Sequence, residues 1–378
     1  MKKLVYFSLA FLLMLMLLPL SPVASAEGSA KAEILIEADT MQVLSSSNAD
    51  EKLPMASVTK IMSLLLWAEA IEDGSLTLEE RVKASAAVQE ADGSTIWLSV
   101  GEEMTVAELI EAVIVASAND ACVALAEHTA GSEAQFVKQM NKRAKELGMT
   151  NTHYTNCVGY DDSGHYSTAR DIAIVTAELM QHEIYRGWFL TWLDYLRGGA
   201  TQLVNTNKMI RYYDGILGGK TGTTDNAGCC LSVCAERGDM RLIAVVLGCK
   251  DDDSRFENAE ALLDYGFGSF QKFTPEVDNS KLLPITVLRG TQNAVQPIVE
   301  QNGSECIIKK GTAEAVEYEY TFVEQVAAPI AKGDFLGEYL VKADGVEVFR
   351  SDIVAMDDIE QISFWYCLME ILGQLFNM

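Results

Sequence analysis

Near residue 215 the hydrophobic period of the chain changes, and that change limits the fold more than any other feature. From residue 61 to about residue 200 the pattern is mostly helical. By contrast "GGKTGTTDNAGCCLSVCAE", the turn "RGD" and "MRLIAVVLGC" alternate as consecutive antiparallel strands do. The stretch "RFENAEALLDYGF" returns to the helical period, and "AEILIEADTMQVLSS", ahead of the helices, predicts a hairpin around a polar turn. Two capping boxes, Thr77 with Glu80 and Thr105 with Glu108 before "LIEAVIVA", predict helix starts. The interval "SANDA" interrupts the apolar pattern with small polar residues, which predicts a loop between two helices that carries Ser117 and Asn119.

From about residue 275 the composition shifts to short alternating strands such as "EYEYTFV" and "GVEVFR" separated by glycine turns, the pattern of a small all-β domain. The tail from Ile362 to Met378 differs again. Ser363, Cys367, Glu370, Gln374 and Asn377 line one stripe of a helix whose other residues are nearly all apolar. Phe364, Trp365, Tyr366, Leu368, Met369, Leu372, Leu375 and Phe376 suit a helix lying on a membrane surface; the alternative is a helix docked on its own domain.

The chain begins like a secretory leader: Lys2 and Lys3, an apolar run from Leu4 to Leu20, then Ala24-Ser25-Ala26 as a cleavage site before Glu27. A retained N-terminal anchor is the alternative, because the run is slightly long for a leader. The expected segments are a leader at 1–26, a large domain at 27–272, a β-rich domain at 275–356 and the tail helix at 357–378. An apolar content of 49% suffices for a sizeable core. The formal charge of −25, more negative still without the two leader lysines, repels phosphate backbones, so nucleic acid is set aside as a partner. Cys122, Cys157, Cys229, Cys230, Cys234, Cys249, Cys306 and Cys367 show no zinc-type pairing and read as buried free thiols.

The chemistry starts at "PMASVTK", where Ser57 precedes Lys60 by three residues and a helix would stack the two side chains. Neutral serine is a poor nucleophile and needs a base. His128, His153, His165 and His182 fall in no H-E-x-x-H motif, and no G-x-S-x-G elbow marks a serine for them, so they read as structural. A lysine can replace histidine when burial or neighbouring cations lower its pKa, which makes Lys60 the candidate base. S-x-x-K alone means little, since "SFQK" from Ser269 to Lys272 also matches, and S-x-N recurs from Ser46 to Asn48. The signal lies in order and company: "SVTK" at 57, "SAN" at 117 and "KTG" at 220, at long intervals.

In that order, and with "NADEKLPMASVTKIMS", "ELGMTNTHYTN" and "HYSTARDIA" around them, the motifs resemble those of the D-alanyl-D-alanine carboxypeptidases, which are low-molecular-mass penicillin-binding proteins. The likeness runs from about Ala32 to the tail. It implies an α/β (α+β) serine β-lactamase/transpeptidase-like domain, with the active site between an antiparallel sheet and a helical region. A small all-β domain and a C-terminal amphipathic helix on the membrane surface would follow.

By the same resemblance, Ser57 attacks the carbonyl between the two terminal D-alanines of a peptidoglycan stem peptide and Lys60 is its general base. Ser117 helps pass a proton to the leaving D-alanine, and Asn119 holds the substrate amide. Lys220 supplies positive charge beside Ser117 and helps Lys60 stay neutral, while Thr221 and Thr223 bind the terminal carboxylate. Gly222 lets its strand approach the ligand, and the backbone N–H groups of Ser57 and Thr223 receive the oxyanion. No metal or other cofactor is expected. β-Lactam antibiotics are expected as covalent inhibitors, and the outer face of the cytoplasmic membrane is the expected location.

Two departures stand out. Cys157-Val158-Gly159 replaces the Pro-His-Gly that relatives often have, and Thr223 follows "KTG" where some relatives have histidine. Among alternatives, a class A serine β-lactamase needs E-x-x-L-N between the second and third motifs, which "ELGMTN" does not match. A D,D-endopeptidase acting on cross-links shares all three motifs. A non-catalytic wall-binding protein would not need intact Ser57 and Lys60.

Overall fold

The computed structural model describes residues 30–376, so the leader read at 1–26 lies outside them. The chain divides into two units, the first ending at Gly268 and the second beginning at Ser269.

In the first unit β1 (Ala32–Glu37), β2 (Val43–Ser47), β3 (Ile216–Thr224), β4 (Gly228–Arg237) and β5 (Met240–Cys249) form one sheet in the order β2-β1-β5-β4-β3. All neighbours are antiparallel. The near-continuous apolar runs of β4 and β5 are buried along their length, as strands covered on both faces must be. β3 is an edge strand, and its free edge borders the motif residues.

The longer helices are α1 (Lys60–Glu72), α2 (Val106–Val115), α3 (Asn119–Ala130), α4 (Glu133–Glu146), α5 (Ala169–Leu179) and α6 (Asp252–Ser269). Every residue from Lys60 to Leu65 is buried, as are Trp67 and Ala68, so α1 is surrounded by protein on all sides of its first two turns. Trp67 stacks on Phe136 of α4 at 5.4 Å between ring centroids. Burying such side chains contributes about 1.5–3 kcal/mol each, which holds the start of α1 rigidly in place. α5 packs on β1, β4 and β5, and Thr176 Oγ1 lies 2.7 Å from Ser232 Oγ across that contact.

The box at Thr105 forms: its Oγ1 accepts from Glu108 N at 3.2 Å and the Glu108 carboxylate accepts from Thr105 N at 2.8 Å. The box expected at Thr77 does not. Residues 77–80 make a turn into strand Arg81–Lys83, which pairs with Glu103–Thr105. No helical apolar period follows Glu80: Val82 is buried between exposed Arg81 and Lys83, a strand pattern. A second small ladder, Leu193–Leu196 with Thr201–Val204, also interrupts the region read as mostly helical. Asn119, expected in a loop, is the first residue of α3, while Ser117 stays in the α2–α3 link.

The second unit is β-rich. Strand Phe270–Phe273 pairs with Cys306–Lys309, which places it with this unit although the sequence reading had run the large domain to 272. A four-stranded antiparallel sheet runs Pro297–Val299, Val346–Ala355, Phe335–Ala343, Val316–Phe322. It closes on a core that includes Ile285, Val287, Leu336, Tyr339 and Ile353.

Helix Phe364–Phe376 follows, its first turn held where Ser363 Oγ accepts from Tyr366 N and the Tyr366 hydroxyl donates to Thr291 O at 3.1 Å. Phe364, Trp365, Met369 and Ile371 are nevertheless 74, 70, 67 and 57% exposed. The side chains of Glu370 and Gln374, and Asn377, lie outside the description. All eight cysteines are free thiols, seven of them buried and Cys367 exposed.

Candidate active site

Ser57 sits in a 3₁₀ turn, Ala56–Thr59, that runs directly into α1 at Lys60. In a 3₁₀ turn residues i and i+3 eclipse, which aligns the two side chains more closely than an α-helical turn would. Lys60 Nζ lies 2.8 Å from the half-buried Ser57 Oγ, 2.6 Å from Asn119 Oδ1 and 3.0 Å from Val158 O. Lys60 is wholly buried, and this burial pushes its pKa down from 10.5 to about 8, against the opposing pull of Cys122, Cys157 and Asp120. A lysine near neutrality with an acceptor-rich shell can take a proton from the hydroxyl beside it.

The second motif approaches from the α2–α3 link. Ser117 has φ +60°, a left-handed conformation that costs a non-glycine residue on the order of 1 kcal/mol and turns its hydroxyl into the cleft. Its Oγ accepts from Lys220 Nζ at 2.8 Å. Asn119 donates through Nδ2 to Asp92 O, and its backbone N–H donates to Ser94 O at 2.7 Å. Buried Asp120 holds the same 92–98 loop by accepting from Ile96 N and Leu98 N, so the loop bordering Asn119 is pinned from the helix start.

The third motif lies on edge strand β3. Lys220 Nζ also donates to Thr221 O at 3.1 Å, and Thr221 Oγ1 donates to Thr206 Oγ1 at 2.7 Å. Burial, with the Lys60 and Arg255 charges, pushes the Lys220 ammonium well below the usual lysine range. Burial is also the largest cause of the lowering of Lys60. The two buried amines repel each other when both are charged, so each opposes protonation of the other. Gly222 passes so close to the turn bearing Ser57 that a Cβ there would sit 2.7 Å from Ser57 N and 2.9 Å from Met55 O. Thr223 is exposed at the mouth of the cleft.

All eight residues read from the motifs therefore gather around one cleft, and several others that the sequence did not single out join them. Arg255 of α6 is buried and donates from Nη1 to Gly222 O at 3.1 Å and to Thr223 Oγ1 at 2.9 Å, while Nη2 pairs with Asp252. Its only sequence signal is one cation inside the acidic run "DDDSRFE". Gly159 has φ +98°, and a Cβ on it would fall 1.8 Å from Ala56 O, so the "CVG" segment lies against the backbone of the turn bearing Ser57. Val158 in that segment supplies the carbonyl that Lys60 binds. Cys122 and Cys157 flank Lys60, with Cys122 Sγ 3.3 Å from Cys157 O. None of the four histidines reaches Ser57: His165 Nδ1 accepts from Thr155 N, leaving Nε2 to donate to Thr59 Oγ1 at 2.8 Å, a neutral tautomer.

The family model for D-alanyl-D-alanine carboxypeptidase, Peptidase S11, matches residues 21–251. The chain belongs to this family. A second model, the C-terminal domain of penicillin-binding protein 5, matches residues 270–361. The carboxypeptidase DacF of Bacillus subtilis is 38% identical over 348 residues, covering 91% of this chain and 89% of that protein. DacC of Escherichia coli is 34% identical, covering 89% and 86%. Among solved structures, penicillin-binding protein 5 of Haemophilus influenzae superposes with a TM-score of 0.79 at 28% identity, over 90% of this chain and all of that one. The mixed α/β domain with an antiparallel sheet, followed by a smaller β-rich unit, is thus the fold of the penicillin-binding carboxypeptidases.

Proposed function

We infer that this S11 carboxypeptidase removes the terminal D-alanine from peptidoglycan stem pentapeptides through an acyl-enzyme, with Ser57 as the acylated residue. The observation that carries this reading is the buried Lys60 Nζ, 2.8 Å from Ser57 Oγ, with its pKa brought to about 8. Ser57 Oγ bonds to the carbonyl carbon between the two D-alanines as its proton passes to Lys60. The oxyanion is received by the N–H groups of Ser57 and Thr223, each such donor being worth about 3 kcal/mol. The C–N bond then breaks, and the leaving amine takes a proton through Ser117, which Lys220 holds in place. Water hydrolyses the resulting ester.

Thr221 and Thr223, with Lys220 and Arg255 behind them, suit the terminal carboxylate, and Asn119 suits the substrate amide. A β-lactam acylates Ser57 by the same attack, opening its ring instead of releasing an amine. The test is release of D-alanine: a pentapeptide stem is expected to yield one equivalent and the matching tetrapeptide none. Release from both, or from neither, overturns the reading.

The terminal helix is the membrane contact in this reading. No described helix is long and apolar enough to cross a bilayer, so a hold through this helix would be peripheral. Phe364, Trp365, Met369 and Ile371 together would contribute on the order of 6–12 kcal/mol if wholly buried in lipid, before ordering costs. No Lys or Arg follows Arg350, so attraction to anionic headgroups contributes nothing. Vesicle flotation of residues 27–378 is therefore expected to be the same in low and high salt and to fail when Trp365 and Leu372 are both changed to Glu. Flotation that is lost in high salt, or kept by the double variant, refutes this anchor.

A further inference from the structure

The two threonines of the third motif are held from behind by charged groups outside the motifs. Thr223 Oγ1 accepts from Arg255 Nη1 at 2.9 Å, and the same nitrogen donates to Gly222 O at 3.1 Å. Thr221 Oγ1 donates to Thr206 Oγ1 at 2.7 Å, and soon after Thr206 the short 3₁₀ turn Lys208–Arg211 begins. Arg255 and Lys208 belong to different segments, yet both end on one side chain. Asp252, the first residue of α6, accepts from Arg255 Nη2 through Oδ1 and from Lys208 Nζ through Oδ2. Each of its oxygens thus secures the support of one threonine.

Arg255 is buried and its Nε has no hydrogen-bond partner among the described residues, so the guanidinium is fixed at two points, Nη1 on strand β3 and Nη2 on Asp252. The Phe256 ring lies 5.0 Å from that guanidinium and 5.7 Å from Lys208 Nζ, which favours both cations nearby without fixing where their N–H groups point. Direction comes from the carboxylate. Without it, Nη2 would be a buried donor on an unneutralised charge, and the side chain would turn toward a new acceptor at the expense of Thr223. The neighbouring acids do not share this task. Asp251 Oδ1 accepts from Ser254 N at 2.8 Å, Asp253 is exposed, and the ion pairs of both cations go to Asp252.

We propose that Asp252 is a positioning residue for recognition of the substrate's terminal carboxylate: it aims Arg255 at Thr223 and, through Lys208, steadies the Thr206 segment behind Thr221. The inference rests on the carboxylate site read above. Asp252 itself touches no reacting group, and its charge has the wrong sign to attract a carboxylate. That sign separates two roles. If only its field mattered, removing the charge would improve carboxylate binding; if it positions, removing the charge impairs it.

The experiment measures kcat and KM of residues 27–378 on two substrates, an N-acylated tripeptide ending in D-Ala-D-Ala and the methyl ester of an N-acylated D-alanine. The ester presents a similar carbonyl with no carboxylate beyond it. Asp252→Asn is expected to raise KM for the peptide about tenfold, the scale of a hydrogen bond to a charged group, with kcat changed by less than about twofold and the ester unaffected. Lys208→Gln leaves Arg255 its partner and is expected to raise the peptide KM by about threefold, the scale of an exposed ion pair. Asp253→Asn removes the same charge from the same helix start and is expected to behave as the native chain. A peptide KM that falls or stays native in Asp252→Asn, a loss shared equally by the ester, or the same loss in Asp253→Asn overturns the proposal. Should Asp252→Asn fail to fold, Lys208→Gln decides: a raised peptide KM with a native ester rate supports the proposal, and a native KM overturns it. If the native chain hydrolyses the ester but releases no D-alanine from the peptide, the carboxypeptidase reading fails and the role of Asp252 falls with it. If the native chain does release D-alanine and the variants leave the peptide KM unchanged, only the role of Asp252 is lost.

Discussion

Ser57→Ala is expected to abolish covalent labelling by penicillin while leaving the protein folded, and mass spectrometry of the native protein is expected to place the adduct on the Ser57 peptide. Ser57 Oγ is the hydroxyl next to a buried amine, and its loss removes the bond-forming atom without disturbing the packing of α1. Lys60→Ala is expected to slow acylation by about 10²-fold or more, the scale of a removed general base. The pH dependence separates this role from a structural one. Only neutral Lys60 can accept the proton, and burial sets its pKa to about 8. The acylation rate of the native protein is therefore expected to rise about tenfold per pH unit below that value and to level off above it. In Lys60→Ala this dependence is expected to vanish. A native rate that does not change between about pH 6 and about pH 8 would remove Lys60 from the role.

The second large effect is expected at a residue outside all three motifs. Gly159→Ala places a methyl group 1.8 Å from Ala56 O and 2.9 Å from Ser57 N, against backbone rather than a side chain that can swing away. It also asks alanine to hold φ +98°. The turn bearing Ser57 or the "CVG" segment must move, and the segment contributes the Val158 carbonyl that binds Lys60. The expected outcome is a stability loss on the order of 3 kcal/mol and an acylation rate lowered about 10²-fold. Gly74→Ala provides the comparison: its φ is +79° but nothing lies within 4 Å of the added Cβ. That variant is expected to lose only about 1 kcal/mol and to acylate normally. Denaturant unfolding and penicillin labelling of the two variants, side by side, check this. Equal behaviour would mean that the turn yields easily and the close approach has no part in forming the site.

Much of the site was legible because its chemistry is built from short local patterns. Ser57 and Lys60 are three residues apart, and any helical turn brings them together. The lysine of "KTG" stands on a strand whose alternation is plain, and "SAN" interrupts a helical period. The Thr105 capping box worked for the same reason, since both of its partners lie within one turn. The Thr77 box shows where local reading stops. The same spacing of residue types is present, but Arg81–Lys83 pairs with a strand that begins at residue 103, and that pairing takes up the backbone hydrogen bonds.

The sequence by itself determined the broad order of a hairpin, a mainly helical region, antiparallel strands and a β-rich end, the placing of a serine hydroxyl and an amine one turn apart, and an acidic chain ending in an apolar helix. Tertiary structure alone decided that the amine is suited to act as a base. Ser57 and Lys60 would be neighbours in an isolated peptide too, but in water that lysine would be charged. Its pKa falls because the start of α1 is enclosed by protein, which excludes the water that stabilises the ammonium. Its acceptors come from Asn119 and Val158, far along the chain. Arg255 behind Gly222 and Thr223 and Gly159 against the Ser57 turn are likewise contacts between distant segments. Such contacts leave no period in the sequence, because only the closed fold sets the distances and the exclusion of water on which their energies depend.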